Sequence, residues 1–267
     1  MDYEHLIVEP RGDALWVTMN RPTRLNAMNR RLVEELRDLF VGLYWRHEVR
    51  VVVLTGAGGA FCAGLDLKER NDHTNPAGVG GGLTSQRRIS EIVIAMRRCP
   101  QPIVALVDGA AAGGGFALAL ASDVRIATPT LKMNAAFIRI GLSACDIGVS
   151  YFLPRMVGSS VAAELMLTGR FLGAERARSL GLVSAVVEPA QLEAEGEKLV
   201  AEMLLTTPLG LRLTKECLNF SIDAQGLEAA IAMEDRNQIL AAQGEDFGEG
   251  VRAFLEKRAP VYGRSGR

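Results

Sequence analysis

The sequence predicts a mixed α/β fold, and three observations carry the prediction. Short, largely apolar runs occur at residues 51–54, 102–107 and 182–187, with a weaker one at 124–127 that contains Arg125. Stretches with helical spacing separate them, and such alternation of strand and helix is the signature of α/β architecture. The runs lack the polar alternation of a half-exposed strand, so they suit parallel strands buried on both faces. After about residue 189 the strand signals stop and only helical patterns remain.

The chain opens with two short strands, 5–9 and 14–18, around the turn residues Arg11, Gly12 and Asp13, which read as a hairpin. A turn-rich stretch follows at 20–26. Next, Leu32, Val33, Leu36, Leu39, Phe40 and Leu43 recur on one helical face, with Asn29 placed to cap the helix. Residues 75–82, Asn-Pro-Ala-Gly-Val-Gly-Gly-Gly, read as a mobile loop. Four helices are expected near 189–206, 208–222, 225–242 and 244–258. This divides the chain into an α/β core, 1–190, and a helical region, 191–267, with no linker composition between them. The same helices could equally be a cover for the sheet.

Composition narrows the function. Of 267 residues, 30 are basic and 31 acidic, giving a net charge of −1, which argues against an electrostatic nucleic-acid or membrane-surface binder. Only three histidines (His5, His47, His73) and four cysteines (Cys62, Cys99, Cys145, Cys217) are present. None has CxxC or HExxH spacing, so no metal site is expected. No run is long enough to span a bilayer. The first residues carry no leader pattern, the sparse cysteines suit a reducing compartment, and the cytoplasm is the expected location.

Glycine is the positive signal: 28 residues, in two dense clusters. One runs from Thr55 through Gly56, Gly58, Gly59 and Gly64 to Lys68. The other runs from Asp108 through Gly109, Gly113, Gly114 and Gly115 to Ala119. Each follows an apolar strand, where α/β proteins place ligands, and each leads toward a helix whose first N–H groups lack partners. A dinucleotide fingerprint fails because Phe61 stands where its third glycine belongs, and no P-loop pattern occurs. Either cluster alone could serve only tight packing. Together they could aim two N–H donors at one oxygen, forming an oxyanion hole.

These motifs resemble the crotonase superfamily, the enoyl-CoA hydratase/isomerases. Asn20-Arg21-Pro22 with Leu25-Asn26-Ala27 is similar to its N-terminal signature. Gly56-x-Gly58-x-x-Phe61-Cys62-Ala63-Gly64-Leu65-Asp66-Leu67-Lys68 and Gly109-x-x-x-Gly113-Gly114-Gly115 are similar to its two oxyanion segments. Phe152-Leu153-Pro154-Arg155 and Phe254-Leu255-Glu256-Lys257-Arg258 match later helices. The resemblance spans nearly the whole chain. It implies a ClpP/crotonase-like fold of repeated ββα units, a C-terminal helical region used in trimerisation, and trimers that pair into hexamers. It implies an acyl-CoA thioester as substrate, with coenzyme A as part of that substrate and no permanently bound cofactor. The thioester oxygen would sit between the N–H groups of Leu65 and Gly114. Ala63, Asp66, Leu67 and Lys68 would hold CoA, and Arg24 would meet its adenine and phosphates, with Thr23 where the family usually has lysine. Phe254 and Lys257 would reach CoA from a neighbouring helix or subunit. The resemblance places His73 in a region that helps line the family's acyl pocket, with an exposed loop histidine as the alternative reading, and Phe116 and Phe137 are candidate walls.

The departures from the pattern are chemical. The family's two catalytic glutamates align with Ala117 and Phe137, neither of which can move a proton. Asp146, in the segment Gly141 to Gly148, resembles an aspartate of the family's dienoyl-CoA isomerases and 3-hydroxyisobutyryl-CoA hydrolases. Its alternative role is to cap the next helix. Ser143 and Tyr151 could orient a water or hydroxyl. Cys145, with no histidine near it in sequence, is expected to be a buried small hydrophobe. The expected chemistry is enolate stabilisation with one carboxylate base, which suits double-bond isomerisation. Thioester hydrolysis and non-catalytic acyl-CoA binding are the alternatives.

Overall fold

The computed structural model describes residues 3–69 and 78–263. Nine strands and ten α-helices are seen among them: β1 (Leu6–Arg11), β2 (Ala14–Met19), α1 (Arg30–Leu43), β3 (Val51–Gly56), α2 (Gly78–Arg98), β4 (Ile103–Val107), β5 (Ala110–Ala112), α3 (Gly114–Ala121), β6 (Val124–Ala127), β7 (Lys132–Asn134), α4 (Val149–Val157), α5 (Ser159–Thr168), β8 (Leu172–Gly173), α6 (Ala174–Ser179), β9 (Ala185–Val186), α7 (Leu192–Leu204), α8 (Pro208–Ser221), α9 (Leu227–Ala242) and α10 (Glu245–Glu256).

The hairpin forms as expected. Arg11 pairs with Ala14 across a two-residue turn in which Gly12 takes φ +60°, a region glycine enters without steric cost. From β2 onward the main sheet is parallel, in the order β1-β2-β3-β4-β6-β9. Its central strands are buried on both sides, which explains their unbroken apolar runs. On β3, Val52 and Leu54 join the larger core with Leu32, Leu36, Phe40 and Met96 of α1 and α2. Val51 and Val53 face the other way and join Trp16, Val104, Leu106 and Ile126 under Leu192 and Val200 of α7. Thus α7, the first helix of the C-terminal region, packs directly on the sheet. Asn29 caps α1, its side-chain oxygen accepting the Leu32 N–H at 3.0 Å.

Three expectations need correction. Residues 78–82 of the expected loop form the first turn and more of α2 rather than loop; glycine weakens helix propensity but does not forbid it where the following turns are amphipathic. Residues 75–77 and His73 lie outside the described residues. The run at 182–187 yields only the two-residue strand β9, with Leu182 and Val183 buried in the core ahead of it. A second, three-stranded sheet, β5-β7-β8, was not expected. Its strands are two or three residues long, too short to show a period.

Candidate active site

The second sheet aligns the two glycine clusters. Cys62 and Ala111 form a parallel bridge, with Cys62 N–H donating to Ala110 O at 2.9 Å and Ala112 N–H to Cys62 O at 3.0 Å. Beyond the bridge the two segments stay close at Gly64 and Gly114: the Gly64 Cα would lie 3.8 Å from a Cβ on Gly114. Glycine is required here by close approach. A Cβ on Gly64 would lie 2.8 Å from Ala112 O and 3.4 Å from Gly114 N, and one on Gly115 would collide with the Cys62 carbonyl.

On its other edge the first segment pairs with Met28. Met28 N–H donates to Gly64 O at 2.7 Å and Asp66 N–H to Met28 O at 3.0 Å. Successive N–H groups of an extended chain point to opposite sides, so the Leu65 N–H is directed away from Met28. Gly114 is the first residue of α3. As such its N–H has no intrahelical acceptor and lies at the positive end of the helix. Leu65 and Gly114 thus each carry a backbone N–H on neighbouring glycine-rich segments.

The N-terminal signature braces the first glycine segment. Asn26, fully buried at φ +55°, donates to Ala57 O and Ala60 O at 2.8 and 2.7 Å and accepts the Arg21 N–H at 2.8 Å. The buried Arg21 guanidinium bonds Asp66 at 3.0 Å, Ala27 O and Glu69. Asp66 also accepts the N–H groups of Lys68 and Glu69. Burial by itself would raise the Asp66 carboxyl, but these hydrogen bonds and the Arg21 charge outweigh it, and the pKa lies below the ordinary aspartate value. The Asp66 carboxylate is therefore engaged within the chain.

The other expected CoA residues divide into two groups. Ala63 N–H donates to Leu25 O at 2.9 Å, which sets the exposed Arg24 next to Ala63, and Leu67 and Lys68 follow on an exposed turn. Phe254, 82% exposed, is on α10, and Lys257 caps the end of that helix in a left-handed conformation. Among the described residues no hydrogen bond ties either to the two glycine segments. The hydrogen bonds of α10 run instead to its own tail, from Arg258 and the Val261 N–H to Glu249.

Around the donors the walls are apolar. Ala117 is wholly buried in α3. A Cβ on Gly113 would lie 3.5 Å from the Phe137 ring, so that buried ring flanks the second segment. Phe116 is enclosed in the core. The Asp146 segment closes in from the α4 side: Ile147 Cδ1 would be 3.7 Å from a Cβ on Gly114. Asp146 does not cap α4, whose cap position is Gly148 with no side-chain bond. Its Oδ1 instead accepts Gln86 Nε2 of α2 at 2.6 Å and the Ile147 N–H at 2.8 Å. Cys145, expected to be buried, is exposed; its N–H is bound by Ser143 Oγ at 3.0 Å in a tight turn that turns the thiol outward. Tyr151 is tied to Asp223, which also pairs with Arg155 at 2.9 Å. Sequence reasoning did not find Gln86, which no motif marked, and treated Arg21 and Asn26 as signature letters without a role.

Residues 12–265 match the family model described as enoyl-CoA hydratase/isomerase. The chain belongs to that family. Its relatives include the "Probable enoyl-CoA hydratase echA12" of Mycobacterium leprae (strain TN), 40% identical over 94% of this chain and 87% of that protein. Another is the 1,2-epoxyphenylacetyl-CoA isomerase of Escherichia coli (strain K12), 35% identical over 97% and 98%. A crystal structure from Streptomyces coelicolor A3(2) superposes with TM-score 0.93 at 36% identity, covering 98% of this chain and 95% of that one. The enoyl-CoA hydratase of Bacillus anthracis does so with TM-score 0.90 at 31% identity, covering 97% and 99%. This family member is thus a mixed α/β protein with the crotonase fold and a helical C-terminal region. No helix among the described residues is long and apolar enough to cross a membrane.

Proposed function

We propose that this family member binds an acyl-CoA thioester, stabilises its enolate between the N–H groups of Leu65 and Gly114, and moves a proton with the single carboxylate of Asp146. The supporting observation is the Asp146 segment itself. It abuts Gly114 through Ile147, and its carboxylate is held by a side chain from α2 rather than spent on a helix cap. Two N–H donors polarise the thioester C=O and acidify the α-carbon; removal of one such donor typically costs about 3–4 kcal/mol of transition-state stabilisation. Asp146 takes the α-proton, and the C–H electron pair passes into the enolate. The same carboxyl returns a proton at the γ-carbon, so a 3-enoyl thioester becomes its conjugated 2-enoyl isomer. Water addition would need a second proton-transfer group, and at the two positions the family uses for it this chain has Ala117 and Phe137.

In this reading residues 1–190 form the catalytic core. Arg24, Ala63, Asp66 (through its backbone), Leu67 and Lys68 hold CoA, and residues 191–267 serve oligomerisation. The exposed Leu227, Ile239, Phe247, Phe254 and Leu255 on α9 and α10 support a homotrimer, or a pair of trimers, in which Phe254 and Lys257 approach CoA. The free thiols suit a cytoplasmic setting.

The test is turnover of 3-hexenoyl-CoA by the purified chain and by Asp146→Asn. Conjugation of the double bond that is lost in Asp146→Asn, with thioester binding retained, is the expected result. Release of free CoA would replace isomerisation with hydrolysis. A 3-hydroxyacyl product at high rate would overturn the one-carboxylate reading. Binding without turnover would make the chain an acyl-CoA-binding protein.

A further inference from the structure

We infer that Gln86 is a positioning residue that fixes the orientation of the Asp146 carboxylate. The inference rests on the reading of Asp146 as the base and adds a residue to it. Gln86 lies on α2, 60 residues before Asp146 in sequence, and its Nε2 donates to Oδ1 at 2.6 Å. The Ile147 N–H donates to the same oxygen at 2.8 Å. One donor comes from the carboxylate's own backbone, and the other from a helix that approaches from a different part of the chain. A carboxylate with a single local donor can swing about its Cβ–Cγ bond. Two donors from different directions fix the plane of the group.

The local backbone makes such fixing necessary. Ile147 takes φ +35° and Gly148 φ +91°, so two successive residues after Asp146 are left-handed. Asp146 therefore projects from a sharp corner rather than from a regular helix whose turns would hold it. α2 is the element placed to brace that corner: Val93 Cγ1 of α2 would be 3.4 Å from a Cβ on Gly148, so the packing and the hydrogen bond act on the same turn. The region that α2 and α4 line together also presents Arg97, Tyr151 and Arg155, with Asp223 bound to Tyr151 and Arg155. Ile147 and Gly148 line that region too, which also carries His47, Arg98, Arg212, Lys215 and Glu216. Gln86 is neutral and donates directly to the Asp146 carboxylate.

The chemistry gives opposite signs for two substitutions. A donor to a carboxylate favours its ionised form. Gln86→Leu removes the donor at similar volume, so the acid limb of the kcat/KM profile, which reports the base in the free enzyme, moves up. Gln86→Lys keeps a donor and adds a positive charge, so the limb moves down. Misorientation by Leu lowers kcat, because displacements of about 1 Å at a reacting group cost on the order of 100-fold. The thioester-binding groups are untouched, so KM stays within about twofold by the same logic of non-uniform effects.

The experiment measures isomerisation of 3-hexenoyl-CoA and deuterium uptake at its α-carbon in heavy water, as a function of pH, for the full chain, Gln86→Leu, Gln86→Lys and Asp146→Asn. The expected result is a kcat lowered about 10- to 100-fold in Gln86→Leu, partial recovery in Gln86→Lys, and acid limbs displaced in opposite directions. Gln86 is only half-buried, so both variants are expected to fold, and their circular dichroism checks this. If Gln86→Leu and Gln86→Lys leave kcat and the acid limb where they are while Asp146→Asn abolishes exchange, the positioning role is wrong and the base assignment stands. If Asp146→Asn isomerises or exchanges at the full rate, or the full chain neither isomerises nor exchanges, the base assignment fails and the role of Gln86 with it.

Discussion

Replacing Gly115 by alanine tests whether the two glycine segments must touch for the site to exist. A Cβ on Gly115 would collide with the Cys62 carbonyl oxygen and lie 2.7 Å from the Cys62 carbonyl carbon and 2.8 Å from its Cβ. Carbon atoms rest at about 3.5–4.0 Å, so the Cys62 backbone must withdraw by roughly 1 Å. It cannot do so freely. Its N–H and C=O are both used by the parallel bridge to β5, and Cys62 is fully buried. The strain corresponds to an overpacked core, about 1–3 kcal/mol. At about 2–4 °C per kcal/mol for a large domain, Tm falls by roughly 2–12 °C. The same displacement separates Leu65 from Gly114, three residues along each segment. A 1 Å error at a reacting group costs on the order of 100-fold, so turnover of 3-hexenoyl-CoA falls by more than the loss of folded protein explains. Two controls isolate the cause. Gly114→Ala meets only the flexible end of Met28 at close range, so its stability cost is smaller. Gly42→Ala on α1 meets nothing within 4 Å and stabilises by about 0.5–1 kcal/mol through helix propensity. A Gly115→Ala enzyme with the parental Tm and turnover refutes the close-contact reasoning.

The remaining predictions concern the scaffold. Lys215 of α8 is buried, and its Nζ donates to Gln101 O at 2.7 Å and Met96 O at 3.0 Å and pairs with Asp123 at 3.0 Å; Lys215→Met strips partners from two carbonyls and a carboxylate, and chemical denaturation is expected to show a loss of about 2–4 kcal/mol. The Asp66 carboxyl is held below its ordinary value in the folded chain, so its contribution is present above the unfolded aspartate pKa of about 3.9 and is lost as pH falls through the folded value. Acid titration of Asp66→Asn is expected to show lower stability at pH 7 and a shallower fall on acidification; parallel curves would contradict this. Burial pushes the Cys62 thiol up to about 12, whereas Cys145 is exposed. Because the thiolate is the reactive form, iodoacetamide at pH 8 is expected to label Cys145 in the native chain and Cys62 only after denaturation, as read by peptide mass spectrometry.

Residues whose role is set by their own local pattern were legible in the sequence. Asn29 was recognisable as a cap because its bond reaches only three residues ahead, and β3 and β4 because burial on both faces leaves an unbroken apolar run. The glycine clusters were legible for a related reason: a Cβ would collide at Gly64 and Gly115, and side chains cannot substitute for that absence. What remained hidden was long-range or conditional. Strands β5, β7 and β8 are fixed by pairing across the chain rather than by periodicity. Arg21, Lys215 and Gln86 look like solvent-facing polar residues until the fold brings Asp66, Asp123 and Asp146 to them. Asp146 shows the limit most clearly. Its residue type and place after Gly141 suit a helix cap as well as a base, since both roles ask for a carboxylate at a turn. The two differ in what the side-chain oxygen meets, and here it meets Gln86 and the Ile147 N–H while α4 is left uncapped by any side chain. A capping carboxylate points along its own helix, whereas this one is held by a neighbouring helix beside Gly114. That is the arrangement expected of a group whose orientation matters to something other than the helix it precedes.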